Sequence, residues 1–144
     1  MTGKVFLVRH AEAASGGVDA ERRLTGAGRA AFSALLQQLG PQLTVKRIQH
    51  SPFRRAGETA DLLSHATGAP TEAVDDLASG HAGGRELLDL ARESSPGTAL
   101  IGHNPEIAEA LAIVSGKPES VPPGTVAALD VSGPAPRLLW LHSP

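Results

Sequence analysis

The stretch KVFLVRHAEA, residues 4–13, places four apolar residues directly before an arginine and a histidine. The segment from Val5 to Val8 is apolar throughout, which is typical of a strand covered on both faces in the parallel sheet of an α/β protein. Such a strand would hold Arg9 and His10 at its carboxyl end. Because ligands of open α/β sheets bind outside the carboxyl ends of strands, this position favours a function for both residues.

The composition sets limits on the class of protein. A chain of 144 residues is enough for one compact domain, so we expect a single domain over residues 1–144. The net charge of −2 and the absence of any block of like charge indicate neither a nucleic-acid nor a membrane partner. The absence of cysteine excludes disulfides, thiolate metal sites and cysteine nucleophiles. With no targeting segment in the first residues, we expect a cytoplasmic protein.

A helix follows the first loop, in LTGAGRAAFSALLQQLG, residues 24–40. Thr25 is the predicted N-cap, and Gly40 with Pro41 the predicted stop. Helical spacing predicts a buried face made of Ala30, Ala31, Ala34, Leu35 and Leu39.

Strands and helices then alternate to the end of the chain. The predicted strands lie in residues 45–51, in Ala73–Val74 and in residues 97–104, and a mobile loop follows the second of these. Three further helices are predicted, beginning just after Pro52, near residue 85, and at Pro105, which would occupy a first helical turn. In the first of these, the residues predicted to point inward are Ala56, Ala60, Leu63 and Ala66. Residues 124–144 predict an antiparallel hairpin around SGPAP.

Residues able to do chemistry follow three of these strands. They are Arg9 and His10; His50, Ser51, Arg54 and Arg55; and Gly102, His103 and Asn104. If the strands are parallel, these groups meet at one edge of the sheet. Two histidines, at least two arginines and the free N–H groups of helix starts would form a pocket for a dianionic phosphate.

Each residue taken alone has a simpler explanation. A lone histidine is more often structural than catalytic, and a lone arginine is more often a solvated charge. His50 precedes a Ser-Pro turn and could cap its strand, whereas His65 and His142 are predicted on the surface. No HxH or HExxH spacing occurs, and arginines beside the candidate histidines would repel a cation, so we expect no metal site.

Four segments together resemble a known family. LVRHAEA, LTGAGRAAF, SPFRRAGETA and LIGHNPEI are similar, in order and spacing, to the signature segments of the histidine phosphatase superfamily, also called phosphoglycerate mutase-like. The short chain most resembles its SixA-type branch of phosphohistidine phosphatases. The resemblance implies a three-layer αβα fold with a mostly parallel central sheet and a C-terminal antiparallel hairpin.

The resemblance also implies roles for individual residues. It makes His10 the nucleophile, Arg9 its neighbouring phosphate ligand, and Arg55 rather than Arg54 the second arginine. His103 matches the second family histidine, which contacts the phosphoryl group, and Asn104 beside it is an expected substrate-binding residue. Thr25 and Gly28 match an element to which we assign helix capping and packing.

The general acid has no clear counterpart in the sequence. In DDLASG, Asp76 stands in the place of a glutamate of SixA-like chains, with Asp75 and Glu86 as competitors. Glu58 replaces a family glutamine, a change that we expect to be harmless. Contributions from Arg54, His50 or His81, and any role for Glu12, stay open.

The function implied is a phosphatase that forms a phosphohistidine intermediate on His10 and dephosphorylates phosphohistidine on a protein partner, without a cofactor. The mechanism predicts a neutral His10 whose second ring nitrogen donates to a backbone carbonyl, and a protonated His103. A weak general acid is tolerable because a phosphohistidine leaves as imidazole. The alternatives are a phosphatase for small phosphoesters, with Asp76 as acid, and a phosphate-binding domain without turnover.

Overall fold

A computed structural model describes residues 3–144. The strands are β1 (Lys4–Arg9), β2 (Arg47–His50), β3 (Thr71–Ala73), β4 (Thr98–Gly102), β5 (Val126–Asp130) and β6 (Arg137–His142). The α-helices are α1 (Gly26–Leu39), α2 (Arg54–Thr67), α3 (Gly84–Glu93) and α4 (Glu106–Ser115). Short 3₁₀ helices cover Asp19–Glu21, Gly40–Gln42 and Asp75–Leu77.

The six strands form one sheet in the order β3-β2-β4-β1-β5-β6. Strands β3, β2, β4 and β1 are parallel, β5 runs antiparallel to β1, and β6 pairs antiparallel with β5. The mostly parallel sheet and its C-terminal hairpin are therefore confirmed. The brief third strand lies at Thr71–Ala73 rather than Ala73–Val74, and the loop predicted after it begins with the 3₁₀ turn at Asp75–Leu77.

The apolar run of β1 is buried on both faces, as predicted. Phe6 and Val8 belong to a core cluster beneath α1 and α2, whereas Val5 and Leu7 belong to a second cluster beneath α3 and α4. Alternate residues of one strand thus serve two cores, because successive side chains point to opposite faces of a sheet. The result is the three-layer αβα arrangement.

Helix α1 begins and ends where the sequence predicts. Thr25 is its N-cap, since its hydroxyl oxygen accepts the Gly28 N–H at 2.8 Å, and Gly40 is its C-cap. The predicted buried face is partly wrong, because Ala30, Ala31 and Ala34 are exposed. The buried residues are Gly28, Phe32, Leu35, Leu36 and Leu39.

Gly28 brings α1 against the segment that follows β1. A Cβ at this position would lie 2.4 Å from the carbonyl oxygen of Glu12, far inside van der Waals contact. Only glycine allows this approach, which sets the distance between the helix and the chain just beyond His10. The packing role assigned to Gly28 therefore has a direct physical basis.

Helix α2 starts at Arg54, with Phe53 as N-cap, and ends at Gly68, whose φ of +77° is in the left-handed region that favours glycine. Ala56, Ala60 and Leu63 are buried as predicted, but Ala66, in the last turn, is exposed. Within residues 3–144, no helix is long and apolar enough to cross a membrane.

Candidate active site

The carboxyl ends of β1, β4 and β2 meet at one edge of the sheet. Arg9 lies opposite Gly102 in the register of β1 and β4, and the His10 N–H donates to the Gly102 carbonyl at 3.1 Å. The Ser51 N–H donates to the Ile101 carbonyl at 3.0 Å, which ties the end of β2 to β4. The convergence predicted for parallel strands is confirmed.

A shallow pocket of about 210 Å³ opens at this edge. It is lined by Arg9, His10, Glu12, Ala13, Arg22, Arg55, His103, Asn104 and Pro123. Five of these residues are the predicted site residues Arg9, His10, Arg55, His103 and Asn104. Glu12, which had no assigned role, and Arg22, which the sequence did not single out, join them.

His10 is held as a neutral imidazole with one free lone pair. Its Nδ1 lies 2.7 Å from the Ala11 carbonyl oxygen, and because a carbonyl can only accept, Nδ1 must carry the proton. Its Nε2 therefore has the lone pair, which accepts the Arg55 Nε–H at 3.3 Å. Burial, aided by the positive charge of Arg55, lowers the pKa of His10 to about 4 even though the bond to Ala11 raises it.

Arg9 points one end of its guanidinium away from the pocket. Its Nη1 donates to the Val121 carbonyl at 2.8 Å, and its Nε is buried with no hydrogen-bond partner among residues 3–144. Burial and the nearby Arg55 lower the pKa of Arg9. The Nε–H is thus a buried donor that none of the described residues uses.

Asn104 lines the pocket, but its amide is already engaged. Its Nδ2 donates to the Val121 carbonyl at 3.0 Å, and its Oδ1 accepts the Ala108 N–H at 3.2 Å. Asn104 thereby joins the first turn of α4 to the same carbonyl that holds Arg9. These bonds give Asn104 a scaffolding role in this structure.

Arg55 is the buried arginine of α2, with 3 % of its surface exposed. Its guanidinium lies 5.0 Å from the centroid of the Phe53 ring, and its Nη1 donates to the Asp19 carbonyl at 2.7 Å. Burial is the largest influence and lowers the pKa of Arg55. Arg54, by contrast, is exposed and pairs with Glu58 at 2.9 Å, outside the pocket lining.

Asp19 and Arg22 reach the site from the loop between β1 and α1. The Asp19 carboxylate lies 3.4 Å from Arg55 Nη2 and 3.1 Å from Arg22 Nε. Burial opposes its ionisation, but the charges and hydrogen bonds of both arginines outweigh burial and lower the pKa of Asp19. No motif marks Asp19 or Arg22, since only the folded loop brings them to the pocket.

His103 faces His10 across the site, with 5.1 Å between the ring centroids. Its Nε2 lies 2.7 Å from the hydroxyl of Ser51, and both residues are buried. Burial, reinforced by His10 and Arg55, lowers the pKa of His103 to about 3. In the free protein His103 is therefore neutral, because a second positive charge beside the arginines is unfavourable, and the protonated His103 predicted for the phosphoryl-bound state stays a prediction.

The candidates for the general acid lie outside the pocket lining. The Asp76 side chain is 68 % exposed and pairs with His81 at 3.2 Å. Asp75 and Glu86 are exposed as well, and Glu86 lines a separate cavity beside α3 together with Asp76 and His81. Asp76 also lines a small cavity that touches His103.

His50 and Glu58 make contacts within the scaffold, outside the pocket lining. His50 Nδ1 donates to the Ser51 carbonyl at 2.8 Å, as a strand-end residue would, and His65 and His142 are exposed. Glu58 accepts the Leu24 N–H at 2.8 Å. That bond, together with the hydrogen bond from Arg54, lowers the pKa of Glu58 against the effect of its burial.

Glu12 also serves the scaffold. Its carboxylate accepts the Thr25 hydroxyl proton at 2.7 Å, and its carbonyl accepts the Thr25 N–H at 3.0 Å. The LTGAG segment is thus fastened directly to the chain beyond His10. Within residues 3–144, no three His, Asp or Glu side chains are grouped so as to hold a metal ion.

The fold and the site agree with the protein family that sequence comparison identifies. The family model of the histidine phosphatase superfamily (branch 1) matches residues 5–105, and the chain belongs to that family. A SixA protein from Agrobacterium tumefaciens is similar in structure, with a TM-score of 0.83, 25% identity, and 98% and 97% of the two chains covered.

Two further solved structures are similar to the chain. A protein histidine phosphatase SixA complexed with tungstate has a TM-score of 0.82 and 26% identity, again over 98% of this chain and 97% of that one. A phosphoserine phosphatase from Entamoeba histolytica, with a TM-score of 0.71, 16% identity and the same coverage, shows the common fold alone. No curated protein sequence gave a significant match.

Proposed function

We propose that this protein is a phosphatase that forms a phosphohistidine intermediate on His10, and that it acts on phosphohistidine in a protein partner. The observation that carries the proposal is the state of His10. A neutral imidazole, with Nδ1–H fixed by Ala11 and its Nε2 lone pair directed toward Arg55, stands in a pocket that also holds Arg9 and His103. A nucleophile needs such an unprotonated nitrogen, whose lone pair becomes available once Arg55 turns away.

The first chemical step is attack of His10 Nε2 on phosphorus. The new P–N bond forms as the bond to the substrate histidine breaks, and that histidine, protonated by solvent at its distal ring nitrogen, leaves as a neutral imidazole. Before the attack, Arg55 Nε turns from His10 to a phosphoryl oxygen, which frees the Nε2 lone pair, and Arg9, which lines the same pocket, is a second cation there. Positive side chains thus stabilise the charge of the transferring group.

The second step is hydrolysis of the intermediate. Water attacks phosphorus and the P–N bond to His10 breaks, so that Nε2 regains its lone pair while Nδ1 keeps its proton and both water protons leave with the phosphate. Inorganic phosphate leaves, and His10 returns to its starting tautomer. The arginines supply the positive charge throughout, so we expect turnover to persist in the presence of a chelator such as EDTA.

The choice of phosphohistidine is supported by what surrounds the pocket. Asp75, Asp76 and Glu86 are not among its lining residues, and an alkoxide leaving group would need such an acid. A phosphohistidine leaves as an imidazole, whose usual pKa of ~6.5 makes protonation easy. The similarity to SixA proteins points the same way.

The test is phosphate release from a phosphohistidine-carrying protein. We expect His10→Ala to abolish turnover and His65→Ala, at an exposed histidine of α2, to leave it unchanged. A 31P spectrum of acid-labile phosphate on the wild-type chain, absent in His10→Ala, would identify the intermediate. Full activity of His10→Ala would overturn the proposal.

A phosphatase for small phosphoesters is the second candidate. It is favoured by one observation, that Asp76 lines a small cavity which His103 also lines. Under this alternative, Asp76→Asn would reduce hydrolysis of a sugar phosphate by a factor of about 10² or more, the usual effect of removing a general acid. Under the main proposal, the same variant hydrolyses phosphohistidine at the wild-type rate. Tight phosphate binding without any turnover would indicate a binding domain instead.

A further inference from the structure

Glu106 and His103 each leave one buried polar atom without a partner. Glu106 is the first residue of α4, and its Oε1 accepts the Gly80 N–H at 2.9 Å. Its Oε2 and the Nδ1 of His103 are both buried, with no hydrogen-bond partner among residues 3–144. Unpaired buried polar atoms are costly, so two of them beside one cavity require an explanation.

The two residues line the same small cavity. Its volume of about 20 Å³ is enough for one water molecule, which needs at least roughly 10–15 Å³. A buried water also needs two or more polar partners. The unpaired atoms of these two lining residues, Glu106 Oε2 and His103 Nδ1, are an acceptor and a ring nitrogen that a water between the two residues would bridge.

The other nitrogen of His103 is already committed. Ser51 Oγ accepts the Phe53 N–H at 3.1 Å and lies 2.7 Å from His103 Nε2, and we take the Ser51 hydroxyl as the donor to that nitrogen. A ring nitrogen that accepts a proton donor cannot carry the proton of a neutral imidazole. The proton of His103 then resides on Nδ1, toward the side where Glu106 lies.

We propose that Glu106 is a positioning residue for His103: it holds the Nδ1–H tautomer and, through one bridging water, stabilises positive charge on the ring when the phosphoryl group is bound. The inference rests on the proposed phosphatase function. His103 would then donate to the phosphoryl group as an imidazolium, with Glu106 as its counter-charge. A carboxylate that fixes a histidine in this way acts as a second-layer ligand does in metal sites.

The other charged groups around His103 explain why such a counter-charge matters. His10, Arg55 and Arg9 disfavour a positive ring, and Asp19 favours it. Asp76 lines the same cavity as Glu106 but is exposed and paired with His81. Glu106, whose Oε2 is buried although the residue is only half-buried, is therefore the carboxylate that can balance a protonated His103.

The test is 15N NMR of histidine-labelled protein, free and with tungstate. We expect wild-type His103 to carry its proton on Nδ1 when free, and to titrate at a higher pH with tungstate. In Glu106→Gln the midpoint with tungstate should fall by about one pH unit, a tenfold loss of proton affinity. The same variant should lower kcat by about tenfold and leave KM nearly unchanged.

Glu109→Gln is the matched control. Glu109 lies on the same helix and accepts the Gly84 N–H at 3.1 Å, so it holds the neighbouring segment without lining the His103 cavity. We expect its His103 titration to match that of the wild type. An Nε2–H tautomer in the wild-type protein, or an unchanged midpoint in Glu106→Gln, would overturn the inference. Absence of phosphate release by the wild type would instead refute the function, because the NMR readout needs no turnover.

Discussion

Acidification should destabilise this protein well before its carboxylates titrate. His10 and His103 are buried, with 6 % and 2 % of their surfaces exposed. Their pKa values are lowered from 6.5 to about 4 and about 3, mainly by burial. In the unfolded chain both would return to ~6.5. Between pH 6.5 and pH 4 the unfolded chain therefore binds more protons, so the free energy of unfolding falls as the pH falls.

The size of the effect follows from these two shifts. At pH 5 each unfolded histidine is almost fully protonated while its folded counterpart is almost fully neutral. Lowering the pH from 7 to 5 thus reduces the free energy of unfolding by about 2 kcal/mol for each histidine, or by about 4 kcal/mol for the two together. The low-pKa carboxylates, Asp19 and Glu58, add little in this window, because unfolded carboxyls titrate near pH 4. A loss of this size is a large part of a typical stability of 5–15 kcal/mol.

The measurement is urea unfolding at pH 7 and pH 5, followed by the fluorescence of Trp140, whose ring packs 6.0 Å from that of Phe6. With a slope of about 2 kcal/mol/M, the midpoint should fall by roughly 2 M. His10→Asn should retain about half of the pH dependence, and His65→Asn, at an exposed site, all of it. The assignment of two neutral buried histidines would be refuted if the free energy of unfolding of the wild type fell by less than about 1 kcal/mol between pH 7 and pH 5. It would also be refuted if His10→Asn lost as much stability over this range as the wild type.

Three further changes test the scaffold. Asp19→Asn removes a carboxylate that competes for the site arginines, so tungstate should inhibit the variant at a concentration roughly three- to tenfold lower; weaker inhibition would contradict this. Gly28→Ala should lower the free energy of unfolding by about 2 kcal/mol because its Cβ meets the Glu12 carbonyl. The control Gly26→Ala, where a Cβ would have open space, should change the free energy of unfolding by less than about 0.5 kcal/mol. Equal destabilisation by the two substitutions would contradict the close contact between Gly28 and the Glu12 carbonyl. Glu58→Gln should keep the bond from the Leu24 N–H and cost less than about 1 kcal/mol in urea unfolding, since its arginine partners are half exposed.

The fold was predictable from the sequence wherever one interaction dominates. Short apolar runs predict the buried strands, and Thr25 and Gly40 mark the ends of α1. The buried face of that helix was harder to predict, because alanine suits both the interior and an exposed helical surface. The larger side chains of Phe32 and Leu36 bury more apolar area than alanine does, so they determine which face of α1 packs against the sheet. Ala30, which was predicted on the buried face, therefore lies on the exposed one.

The site was predictable to the extent that parallel strand ends determine it. Arg9, His10 and His103 follow β1 and β4 directly, so the sheet alone brings them together. Asp19 and Arg22 could not be found in this way, since their positions depend on how an irregular loop folds across Arg55. The protonation of His103 was likewise beyond the sequence, because it depends on burial and on the charges that surround it.

Arg55 connects the free enzyme to the chemistry proposed for it. In this structure its Nε–H occupies the lone pair of His10 Nε2, so a solvent proton cannot take that position without displacing a cation. The same contact opposes protonation of His10 Nε2 and keeps the guanidinium beside the proposed nucleophile. Asp19 holds the far side of that guanidinium through its carbonyl and its carboxylate. In the proposed mechanism, an incoming phosphoryl group needs only to draw Arg55 Nε from nitrogen to oxygen, and that movement exposes the lone pair of His10 as the electrophile reaches it.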